Sequence, residues 1–175
     1  EKGAVNTMAG MFPTMVSDPD DRNRRFSGEV GPQWPRSLRI GYYLALAAAV
    51  LMLVIGFVSL ANGVPDRLPD TWMIEGADED LVERFASNLR IFAWSNIILG
   101  LVLSGAASYF SRGSKTARRV AGIVTACAVF VNLAGFFVGV AGWASIAVVV
   151  LLVFALFFAF RPDANAFVDT RSGDV

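Results

Sequence analysis

The chain has 175 residues, 55% of them hydrophobic and only 17% charged, with fifteen basic and fifteen acidic side chains and no net charge. A soluble domain carries roughly 25% charged residues, and a nucleic-acid-binding chain needs a basic excess, so neither description fits. The absence of histidine removes the commonest metal ligand, the usual haem ligand and the usual general base, and the one cysteine, Cys127, excludes a disulfide within the chain.

Residues 1–37 form a polar N-terminal tail that includes "MFPTMVSDPDDRNRRFSGEVGPQWPRS", without periodicity and rich in Pro, Asp, Arg and Gly. Such a segment is disordered alone in water. The short connections of this chain offer little surface to order it, so a partner subunit is its expected contact. Arg22, Arg24 and Arg25 could also meet anionic lipid headgroups, each contributing about 1 kcal/mol. Asp20 and Asp21 interrupt them, so they form no basic patch for nucleic acid. No apolar run precedes Ile40, and the first span is expected to insert uncleaved.

Three stretches carry no charge: Ile40 to Pro65, Ile91 to Ser111, and the 41 residues from Val120 to Phe160. A bilayer span needs about 20 apolar residues, so the first two hold one span each and the third holds two. The expected fold is an all-α integral membrane protein with four transmembrane helices at 38–62, 89–111, 120–139 and 143–160. The break in the long stretch falls at "GVAGW", where two close glycines interrupt the helix and leave a tight turn at 140–142.

Basic residues mark the side of a membrane that faces the cytoplasm. The N-terminal tail and the first residues after it carry six (Lys2, Arg22, Arg24, Arg25, Arg36 and Arg39), the connection at 112–119 has Arg112, Lys115, Arg118 and Arg119 without an acid, and the tail at 161–175 opens on Arg161. The loop at 63–88 is acidic instead. Both termini therefore read as cytoplasmic, the protein as a multi-pass membrane component, and the acidic loop as external. Trp34 and Trp72 read as contacts to lipid or to a partner.

The stretch "GADEDLVERF" concentrates Asp78, Glu79, Asp80 and Glu83 within six positions. A calcium loop of the EF-hand type needs oxygen ligands at alternate positions, whereas consecutive acids on a helix point about 100° apart and cannot converge on one ion. Acids in a first helical turn are stabilised by the positive end of the helix. The cluster therefore reads as the start of a short external helix leading into span two, with Leu81, Phe85 and Leu89 on one face and Asp80 paired to Arg84. Asp78, Glu79 and Glu83 remain candidates for a contact with a partner.

No charged residue lies within the three apolar stretches, Arg39 and Arg90 standing only at span ends, which speaks against a pump or a proton-coupled transporter. Two asparagines do, Asn96 and Asn132, both in the half of the span nearer the acidic loop. Each is expected to bond a neighbouring helix, and the two could meet. Gly135 and Gly139, with Gly100 and Ser104, give small-residue strips that let helices approach closely.

Arginine outnumbers lysine thirteen to two, and Ala, Gly and Val dominate. With four short spans and an Arg-rich tail punctuated by Asp-Pro, the chain resembles the small accessory membrane subunits of the actinobacterial respiratory supercomplex that joins cytochrome bcc to cytochrome aa3 oxidase. The resemblance implies a bacterial plasma membrane and a peripheral, non-catalytic subunit of an electron-transport complex, with haem-bearing partner subunits. It implies no cofactor of its own, and any bound molecules would be structural phospholipids. The competing expectation is a small homo-oligomeric transporter or channel lined by Asn96, Ser104, Thr125 and Asn132. On the expected topology, a cysteine placed at Asp78 reacts with a membrane-impermeant maleimide added to intact cells, whereas one at Lys115 does not; the reverse pattern would invert the orientation.

Overall fold

The computed structural model describes residues 33–66, 68–72 and 79–172. Within these it is helical, with α1 at Arg36–Asn62, α2 at Glu79–Ser108, α3 at Lys115–Val138, α4 at Trp143–Ala159 and α5 at Pro162–Ser172. Single 3-10 turns stand at Asp70–Trp72 and Phe110–Arg112. Helices α1, α2 and α3 are each long and apolar enough to cross a membrane; α4 and α5 together would make a fourth span, bent by 58°.

The expected external helix and second span are one continuous helix of 30 residues. Phe85 and Leu89 are buried on its inner face. Among the described residues, Asp80 and Arg84 do not form the expected ion pair; the pair present is Lys115 with Asp169. Residues 115–119, expected in a connecting loop, instead form the first turn of α3. Ser114 caps that turn, its hydroxyl accepting from the Ala117 amide at 3.2 Å, and this satisfies one of the donors a helix start leaves over.

The turn between α3 and α4 falls at the predicted glycines. Gly139 has φ 81, and the amides of Gly139, Val140 and Ala141 turn back onto Gly135 and Phe136 carbonyls. Only glycine adopts this left-handed conformation without strain. Gly139, expected as a packing residue, is therefore the helix stop.

The four long helices form a ring in chain order. Helix α1 packs on α2 and α4, and α3 packs on the same two. Small residues set the spacing. A Cβ added at Gly56 would lie 2.8 Å from the Ala93 carbonyl oxygen and 2.6 Å from the Ile97 side chain. One at Gly100 would lie 3.1 Å from the Ala49 oxygen, and one at Gly41 3.0 Å from the Ala159 nitrogen.

Ser104 does not continue the Gly100 strip. Steps of four residues rotate about 40° around a helix with ~3.6 residues per turn, so Ser104 and Ser108 drift off the interface. Leu103 and Ala107 hold the core line instead and are fully buried. The Ser104 hydroxyl donates to Leu101 O of its own helix.

The segment expected as a C-terminal tail forms α5, which packs against α1, α3 and α4 at the end of the bundle that carries α1's N-terminus. Pro162 opens it, a residue suited to the first position of a helix because its missing N–H is not needed there. Ala164, Phe167 and Val168 are buried beneath it. Gly56→Leu should lower thermal stability in detergent by about 1–3 kcal/mol, since the Ala93 carbonyl is backbone and cannot move aside; an unchanged melting temperature would show that α1 and α2 are not packed this closely.

Candidate functional site

An amide side chain in an apolar core must find hydrogen-bond partners or lose those it had in water. Asn96 on α2 and Asn132 on α3 are both fully buried, and they answer each other. Asn132 Nδ2 donates to Asn96 Oδ1 at 3.0 Å and to Ala128 O at 2.9 Å, while Asn96 Nδ2 donates to Phe92 O at 3.0 Å. Each amide thus bonds back onto its own helix, and one bond crosses between them. Asn132 Oδ1 and, on α4, Ser145 Oγ are buried without a protein partner. Neutral amides neither titrate nor attack a carbonyl, so the pair acts as a clamp rather than a catalytic group.

The clamp coincides with a glycine contact. A Cβ added at Gly135, three residues beyond Asn132, would lie 2.6 Å from the Phe92 ring. Phe92 therefore accepts the Asn96 amide through its carbonyl and fills the Gly135 notch with its ring. Beside it, α2 and α3 leave a cavity of about 220 Å³ lined by Asn88, Ile91, Ser95, Phe130 and Ala134.

Trp72, expected to face lipid or a partner, latches one end of the bundle. Its indole N–H donates to the carbonyl of Val138, the last residue of α3, and its ring stands edge-on to Phe85 at 5.3 Å. Trp34 is half-buried against the core and tilts onto Tyr42 at 5.5 Å. Glu83 is exposed. Arg22, Arg24, Arg25 and Asp78 lie outside the described residues, as does the Glu79 side chain.

The opposite end is held by contacts that the sequence reading missed. Ser37 Oγ donates to the Asp163 carboxylate, and Arg118 Nη1 donates to Asn165 Oδ1 at 2.6 Å. Lys115 pairs with Asp169 at 3.2 Å, and the Arg118 guanidinium lies 5.0 Å from the Phe160 ring centroid. Two cations expected in the basic loop at 112–119 thus fasten α5 across the bundle end. The Arg-Pro-Asp stretch at 161–163 was the available signal, since proline followed by an acid marks a helix start.

Among the described residues, no three Cys, Asp or Glu side chains stand close enough to hold a metal ion. The family model described as a domain of unknown function, DUF7144, matches residues 44–161. The chain belongs to this DUF7144 family. The matched segment of this DUF7144 chain runs from within α1 to the end of α4 and takes in the clamp, Gly56, Gly100 and Gly135, but stops before α5. No curated protein and no solved structure matches the chain.

Asn96→Leu and Asn132→Leu should each destabilise the bundle, and the double variant should lose less than the sum of the two. The coupling read from chemical or thermal unfolding of the four proteins should be about 0.6–1.7 kcal/mol. Strict additivity would mean that the two amides do not bond.

Proposed function

We propose that this protein is a multi-pass subunit of a bacterial plasma membrane, with both termini cytoplasmic, that serves a larger membrane complex as a non-catalytic accessory or assembly component. The observation that carries the reading is how the bundle disposes of its polar groups. Asn96, Asn132, Thr125 and Ser145 are all buried within the bundle of a single chain, while its flanks are broadly apolar. Ile123, Phe130 and Phe137 on α3 are 67%, 73% and 77% exposed, and Ile91, Ile98 and Leu101 on α2 each exceed half. An apolar exterior of this extent suits lipid and the flanks of other membrane helices.

The same disposition weighs against the channel reading. A homo-oligomeric pore needs polar side chains on an outward face of each subunit, and three of the four residues expected to line it are buried inward. The Ser104 hydroxyl is already bonded to its own helix. Haem-bearing respiratory subunits, the partners implied by the chain's resemblance to accessory subunits of the respiratory supercomplex, are the first to test.

Affinity purification in a mild detergent, followed by mass spectrometry and a reduced-minus-oxidised visible spectrum, should recover this chain in stoichiometric association with larger membrane subunits. Haem absorption in that eluate would place the complex in respiration. A homogeneous ring of this chain alone would overturn the accessory role in favour of the pore.

A further inference from the structure

The cavity beside Phe92 is the deeper part of a longer groove. Through Asn88 and Val138, which line both parts, it continues to a mouth where Trp72, Arg84 and Ser87 stand. The α2 residues along it run from Leu81 to Ser95, and at ~1.5 Å per residue they span about 21 Å. Half of a bilayer, headgroups included, is about 20–22 Å thick. The groove therefore has the depth of one leaflet, with Arg84, Ser87 and Asn88 at one end and Ile91, Phe130, Val131 and Ala134 towards the other, where Ser95 is the one polar side chain.

The mouth has a specific charge pattern. Arg84 forms no ion pair among the described residues, and the Ser87 and Asn88 side chains are likewise without hydrogen bonds there. Exposed Asp80 and Glu83 lie on α2 within one turn of Arg84. A guanidinium recognises a phosphate through paired, charge-assisted hydrogen bonds, and carboxylates beside it suit an ammonium group. A lipid with net negative charge would meet the two carboxylates as well as the arginine. An apolar helix from another protein would leave Arg84 covered without a partner.

We propose that this groove binds one zwitterionic aminophospholipid. Its phosphate sits on Arg84 and Asn88, its ammonium faces Asp80 and Glu83, and one acyl chain runs past Ile91, Phe130 and Ala134. The site rests on the chain spanning a membrane and is independent of the accessory role.

The test reconstitutes the full chain in nanodiscs of equal phosphatidylethanolamine and phosphatidylglycerol and reads retained lipids by native mass spectrometry. Wild type should keep one phosphatidylethanolamine per chain. Arg84→Gln, which removes the phosphate contact, and Ala134→Phe, which fills the groove, should each retain roughly fivefold less or lower still. Lys115→Gln, at the far end of the bundle, should match wild type, and circular dichroism should show all variants equally helical. Neutralising both acids, with Asp80→Asn and Glu83→Gln, should shift retention towards phosphatidylglycerol. Wild-type retention by Arg84→Gln and Ala134→Phe, a wild-type preference for phosphatidylglycerol, or no retained lipid would each overturn the site. A chain that does not enter nanodiscs at all would overturn the membrane reading and the site together, whereas absence of co-purifying subunits would leave the site standing.

Discussion

The hydrogen bond from Asn132 to Asn96 sets the register of α2 against α3, and the remaining contacts are arranged around that alignment. Apolar side chains exchange neighbours at little cost when helices slide, but an amide in a dry core that slips by one turn loses its partner without water to replace it. One turn along, the Phe92 ring fits against Gly135 and admits no Cβ there. A directional bond and a steric notch thus specify the same alignment. The ring then closes through glycine contacts, with α1 seated on α2 at Gly56 and Gly100 and on α4 at Gly41.

The two ends of the bundle are finished with polar contacts of different kinds. At one, Trp72 reaches across to the last carbonyl of α3 and covers a helix end whose acceptors have no partner within the helix. At the other, α5 folds across and is held by Ser37, Lys115 and Arg118. Its buried Phe167 and Val168 give it an apolar footing of its own. Asp80, Glu83 and Arg84 remain exposed near the Trp72 end, and Arg36, Arg39, Arg112, Arg119 and Arg161 near the other.

This division of labour suits the proposed accessory role. Polar groups within the core serve the chain's own cohesion, and the flanks offer wide apolar surfaces of aromatic and branched side chains. Such surfaces associate by shape and dispersion rather than by charge. The α2–α3 groove is the exception on the flanks, because it pairs apolar depth with a charged mouth. A lipid held there would extend the apolar surface of the bundle and carry a polar headgroup to its rim.

Much of the architecture was legible in the residues themselves. Charge-free runs of span length gave the long helices, because burying a charge in an apolar slab is expensive at any position along a helix. The glycine at 139 gave the turn between α3 and α4, because left-handed backbone favours glycine locally whatever the tertiary context. The spacing of Asn96 and Asn132 on antiparallel neighbours even suggested that they could meet. Other features depended on rotation and distance, which periodicity alone does not supply. Gly100 packs where Ser104 drifts away, because the angular offset between helices decides which of two similar strips faces inward. Trp72 became a latch and Arg118 a clasp for α5 because folding brought distant acceptors within reach: Val138, 66 residues away, for one, and Asn165, 47 residues away, for the other. The amino-acid sequence by itself determined where the four long apolar helices run; the tertiary structure alone decided that α5 folds across one end, which polar groups are consumed inside the bundle and which are left at a groove's mouth, because hydrogen bonds between distant segments exist only once the helices are packed.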